Sequence, residues 1–210
     1  MTKRILSIIS IGVLSIFGEV SAQDIHFSQF YETTILRNPA LTGIFSDDFK
    51  VSANYRNQWS SISQPFVTGQ VSFETKIPVN QQTGDFFSVG LLANMDKAGT
   101  VQMKSLALYP VLSFSKSLGD ANHSFLSAGF TGGFVQRSFD PSRAAVNNQY
   151  GNGGFDPYAG TGENIQANKI SHLDVGAGLN FSSGAGEYSQ ASYFIGVSGY
   201  HLTKPRNSFY

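Results

Sequence analysis

Phe49-Lys50-Val51-Ser52-Ala53-Asn54-Tyr55-Arg56-Asn57-Gln58-Trp59 is the stretch whose reading decides the fold. Phe49, Val51, Ala53, Tyr55 and Trp59 share one face, and Lys50, Ser52, Asn54, Arg56 and Gln58 share the other. Strand side chains point alternately to opposite faces, so this is a β-strand with one apolar side. Asn57 alone interrupts the apolar row. The pattern then repeats, with Val67, Gly69, Val71 and Phe73 against Thr68, Gln70, Ser72 and Glu74. Ser60-Ser61-Ile62-Ser63-Gln64-Pro65 between them is turn chemistry. Residues 49–77 therefore read as one long hairpin. Strands of soluble proteins run to about 5–6 residues, whereas a tilted strand crossing a bilayer needs about 9–11. Both arms match the longer figure. Phe49 lies at one end, with Tyr55, Trp59 and Phe66 near the other, as in the aromatic girdles of an outer-membrane barrel.

Composition agrees. Charged residues make up 13% of the 210, against roughly 25% in a typical soluble domain. There are 22 glycines and 18 phenylalanines, and after residue 22 no apolar run is long enough for a membrane helix. The length suits one domain. A net charge of zero gives no footprint for nucleic acid or for an acidic substrate. The absence of cysteine excludes disulfides and thiolate metal sites. At the start, Lys3 and Arg4 precede an apolar run from Ile5 to Phe17, and Val20-Ser21-Ala22 offers small residues for cleavage. Residues 1–22 are the expected signal peptide, with Gln23 as the mature start.

Residues 23–48 form an irregular lead-in, periplasmic or lumenal, in which Asn38-Pro39 and Thr42-Gly43 mark turns. Residues 49–210 carry the strands. Phe87, Val89, Leu91, Ala93 and Met95 alternate with Ser88, Gly90, Leu92, Asn94 and Asp96. A strand from about 101 to 116 presents Leu106, Leu108, Leu112 and Phe114 on its lipid side, together with Pro110. Proline cannot donate to a ladder, so a bulge or a break is expected there. Leu126, Ala128, Phe130 and Phe134 then oppose Ser127, Gly129, Thr131 and Gly133, and Leu173, Val175, Ala177, Leu179 and Phe181 oppose His172, Asp174, Gly176, Gly178 and Asn180. Tyr193, Ile195 and Val197 oppose Phe194, Gly196 and Ser198 in the last strand. Short turns are expected at 78–84, 97–100, 117–122 and 182–188, and one long connection at 140–168. With a periplasmic N-terminus the turns at 78–84, 117–122 and 182–188 fall in the periplasm and the long loop outside the cell, which is the bacterial barrel pattern.

Gln23-Asp24, His26-Phe27-Ser28-Gln29-Phe30, Asn38-Pro39-Ala40, Gly43 and Tyr55-Arg56-Asn57-Gln58-Trp59, followed late in the chain by the stretch from Tyr200 to Phe209, together resemble the PorP/SprF family. That family comprises outer-membrane proteins of the type IX secretion and gliding systems of Bacteroidetes. The resemblance implies a membrane barrel that is not an enzyme. Its implied partners are outer-membrane lipid, other secretion components and secreted surface proteins. Members of that family are longer than this chain, which implies an N-terminal part. The strand count points the same way. About seven strands are legible, and an odd count leaves the first and last strands parallel, unable to close an antiparallel ring. The expected fold is all-β, an antiparallel transmembrane β-barrel of the outer-membrane type present as an open, curved sheet.

No catalytic, cofactor-binding or metal-ligating residue is expected. His26, His123, His172 and His201 lack ligand spacing. His172 and Asp174 share a face but no nucleophile pattern accompanies them. Asp140, Asn147, Asn148, Asn152 and Asp156 could offer oxygens to calcium but do not match an EF-hand. Gly151-Asn152-Gly153-Gly154 has no strand before it and no helix after it, unlike a phosphate loop. Lys50, Arg56, Glu74, Lys76 and Lys104 are expected to line a polar lumen or its rims. Three functions fit this pattern: an accessory barrel of protein secretion, a general outer-membrane solute channel, and a secreted ligand-binding β-sandwich. A sandwich needs shorter strands and a charged solvent face, and the resemblance favours the accessory barrel over the channel.

Overall fold

The computed structural model describes residues 33–80, 82–120, 123–151, 154–156, 158–159, 162, 168–185, 191–204 and 209. The expected signal peptide, the first part of the lead-in, His26 and Asn152-Gly153 lie outside the described residues. Seven strands form one antiparallel sheet: β1 (Phe49–Gln58), β2 (Phe66–Asn80), β3 (Asp85–Ala98), β4 (Met103–Ser117), β5 (Phe125–Ser138), β8 (Lys169–Ala185) and β9 (Ala191–Gly199). Each pairs with its predecessor in sequence, so the sheet is a simple meander with β1 and β9 at its edges. Between β5 and β8 a two-stranded ribbon, β6 (Tyr150–Gly151) with β7 (Gly154–Phe155), interrupts the long connection.

The alternation of burial holds in the strands between the two sheet edges, while in β9 Phe194 is exposed on the inward side as well. Val71, Leu91, Leu112, Phe130 and Leu173 point outward and are exposed, while Ser72, Ser113, Thr131 and Asp174 point inward and are buried. A continuous apolar exterior of this extent is foreign to a water-soluble surface. Aromatics gather on it at the end where β3 begins. Phe87 and Phe114 stand 4.9 Å apart across β3 and β4, and Phe181 and Tyr193 6.1 Å apart across β8 and β9.

Two strands run further than expected. β2 runs through Pro78 to Asn80, because the register against β3 shifts between those residues and accommodates the proline at the strand end. β8 runs to Ala185, with Ser182, Ser183 and Gly184 still paired to β9. Pro110 neither breaks β4 nor adds a residue to it. Pairing to β3 continues through Pro110, and pairing to β5 lapses only at Tyr109 and Pro110 before resuming in the same register.

Residues 33–46 of the lead-in occupy the concave face. A single helical turn, α1 (Thr34–Arg37), stops because a residue before proline is pushed out of the helical region, and Asn38 is extended at φ −163°. A 3-10 turn (Pro39–Leu41) follows, with Pro39 at its first position and the Asn38 Oδ1 accepting from the Ala40 N–H at 2.8 Å. The Thr34 hydroxyl reaches Glu74 on β2, while the Asn38 amide reaches the Val197 carbonyl on β9. Those strands are five spacings apart, roughly 24 Å if the sheet were flat. One helical turn advances only about 5.4 Å. The sheet must therefore curl into a trough around this segment.

Candidate functional site: the filled inner face

The inner face is where charged and polar groups converge. Glu74 stands on the inward side of β2 and is fully buried. A buried carboxylate needs hydrogen-bond donors. Both come from the lead-in: the Thr34 hydroxyl donates to Oε1 at 2.7 Å and the Gly43 N–H to Oε2 at 3.1 Å. Two places further along β2, the Lys76 ammonium donates to the Phe45 carbonyl at 2.7 Å and the Ser46 carbonyl at 3.3 Å, and lies 4.9 Å from the Phe45 ring centre.

The opposite wall grips the same segment by backbone. The Asn38 Nδ2 donates to the carbonyls of Leu179 at 3.0 Å and Val197 at 3.4 Å. The Ser198 hydroxyl donates to the Arg37 carbonyl at 2.8 Å, and the Tyr200 hydroxyl to the Ile35 carbonyl. The wall is shaped to match. A β-carbon at Gly129 would overlap the backbone of Pro39 and Ala40, and one at Gly178 would overlap the Asn38 side chain. Glycine is favoured at both positions, at Gly129 because another stretch of backbone approaches so closely and at Gly178 because the Asn38 side chain does. In the middle, Ile35 joins the inward side chains of Leu92, Ala107, Tyr109, Val111 and Val135 in a small apolar core. Burying Ile35 is worth about 1.5–3 kcal/mol.

A second cluster lies beside it. Asp174, buried on β8, accepts from the Tyr109 hydroxyl at 3.1 Å, and the His201 Nδ1 stands 2.9 Å from the same carboxylate oxygen. His172, two places along the strand, is the histidine expected on the same face as Asp174; the one that stands against the carboxylate is His201, brought there because the chain turns inward after β9. That turn also completes β8, whose Val175 carbonyl accepts from the Leu202 N–H at 3.0 Å and whose Leu173 carbonyl accepts from the Thr203 hydroxyl at 3.1 Å.

The other residues singled out in the sequence are placed as follows. Arg56 faces inward and donates to the Thr68 hydroxyl at 3.3 Å, and Lys104 is exposed near the start of β4. Lys50 stands opposite Glu74 in the β1–β2 register. In the long connection, the Asp140 carboxylate accepts from the Ser142 N–H and hydroxyl and from the Arg143 Nε, and Asp156 accepts from the Tyr158 N–H. Asn147 begins a short 3-10 turn. Asp140 and Asp156 are thus engaged in local turns. His123 sits at a positive-φ corner of the 118–124 turn. Among the described residues no group of three acidic or histidine side chains is arranged to hold a metal.

A curled antiparallel sheet with an apolar exterior and a filled polar interior is the architecture of a membrane β-barrel wall. The family model for "Type IX secretion system membrane protein PorP/SprF" matches residues 19–210. The chain belongs to the PorP/SprF family. Nothing among curated proteins or solved structures matches it. As a PorP/SprF protein it is a membrane component of type IX secretion, and its sheet is the expected all-β, outer-membrane-type fold.

Proposed function

We propose that this PorP/SprF protein is an outer-membrane accessory component of type IX secretion, structural and partner-binding, and neither an enzyme nor a solute channel. It serves the secretion or surface attachment of cargo such as adhesins. The observation that carries the preference over a channel is the inner face. Residues 33–46 lie across it, and Ile35 packs into an apolar patch that a water-filled lumen would leave exposed. In this reading residues 1–22 are a signal peptide, 23–48 the lead-in and 49–210 the barrel wall. The N-terminal side faces the periplasm, connection 140–168 faces outside the cell, and lipid, other secretion components and secreted surface proteins are the partners.

Co-purification from native outer membrane tests it. The protein is expected to bring along other secretion components or surface proteins. Recovery of the protein alone, together with solute uptake by liposomes containing it, would favour the channel.

A further inference from the structure

The lead-in is tied down on both sides of the trough, and the ties are of different kinds. On the β2 side one fully buried carboxylate, Glu74, has each oxygen occupied by a different part of the segment, Thr34 before the Pro39 turn and Gly43 after it. On the β8–β9 side Asn38 donates to backbone carbonyls of both strands, and Tyr200 donates to Ile35. Between the two walls Ala40 and Thr42 have no exposed surface, and Gly129 and Gly178 leave no space that a side chain could use. A segment built to swing away would present few buried contacts and a wall that remains satisfied when it leaves. Here departure would strip Glu74 of both donors, and uncover Ile35, Leu92 and Val111 to water.

We propose that residues 33–46 are a captive plug, latched on Glu74, that keeps the interior closed to ions and small solutes throughout the protein's working life. The proposal rests on the non-channel reading above, but the co-purification result is independent of it: a leaky plug would leave the partners bound.

The natural chain has no cysteine, so Thr42→Cys supplies a unique thiol inside the plug. The Thr42 hydroxyl has no hydrogen-bond partner among the described residues, so the exchange removes no bond there. In the folded full-length protein, a small maleimide should label Thr42→Cys at least roughly a hundred-fold more slowly than it labels the exposed Tyr158→Cys, as expected for a site that opens rarely. Comparable rates at the two positions would overturn the proposal. In planar bilayers the natural protein should carry no steady current. Glu74→Ala and Gly129→Leu, where they retain folded, heat-modifiable mobility, should each carry one. A steady current through the natural protein, or silence from a folded Glu74→Ala, would also overturn it. Should neither variant fold, the labelling ratio decides.

Discussion

Ser52 and Val71 lie on adjacent strands and face opposite ways. Val71 points outward and is about half exposed, and Ser52 points inward and is half-buried. Arginine at 71 would sit in lipid, at a cost of about 2–4 kcal/mol near the midplane. Val71→Arg is expected to lower the yield of heat-modifiable barrel well below that of Ser52→Arg; equal yields would contradict the facing assigned here. Ser72 also faces inward, as alternation requires, but it is buried on the filled face and is not a tolerant position. A different residue reports on pH. Asp120 lies in the 118–124 turn, where the Ser124 hydroxyl donates to it at 2.6 Å and the Ser124 N–H at 2.7 Å. These bonds, the hydroxyl's first, hold its carboxyl below the ordinary 3.8. A group with a lowered folded pKa stabilises fully above its unfolded value, and that contribution is lost as pH falls through the folded one. The Ser124 amide resonance should therefore show a step below about pH 4, and Asp120→Asn should abolish that step. A midpoint above the ordinary value would contradict the assignment.

Among the elements, β4 carries the clearest local defect. Pro110 lacks the N–H that would serve the β5 side, and its carbonyl accepts instead from the Thr131 hydroxyl at 2.9 Å. Pro110→Val restores a donor on an outward position suited to a β-branched residue. It should raise the thermal midpoint, with a gain of about 0.5–1.5 kcal/mol for one added hydrogen bond; a lower midpoint would show that the proline is required. The strands themselves were legible because period two is written along every one of them, and burial of one face leaves the register little freedom. The ends were less so. Pro78 and Ser182-Ser183 look like turn residues, yet both lie in paired strand, because a bulge absorbs the first and cross-strand pairing overrides the propensity of the second. The filled interior was written more faintly. From Leu106 to Leu112 the chain is apolar on both faces, with Ala107, Tyr109 and Val111 inward, and a strand apolar on both faces is covered on both. The Asp174–His201 pair had no such signal, since it depends on how the chain turns after Gly199. Nor did the grip of Asn38 on β8 and β9, which only the curl of the sheet brings within reach.

At the scale of the whole molecule, the connections after β2, β4 and β8 lie at one end of the strands and the long one at the other, so one topological observation fixes all four. Tyr158, in the long connection, is 95% exposed. A membrane-impermeant maleimide should label Tyr158→Cys on intact cells; labelling only after permeabilisation would invert the orientation. The meander also sets a timetable for assembly. Apart from β5 with β8, each hairpin closes over a few residues, whereas the bond from Asn38 to the Val197 carbonyl spans 159 residues and that from Tyr200 to Ile35 spans 165. Contacts so distant along the chain form late, because their loops must close before they give any return. The segment that is synthesised before any strand is therefore among the last to be secured. Until β9 arrives it lacks the bonds to Val197 and from Ser198 and Tyr200, and a protease acting on the arrested intermediate should find it there.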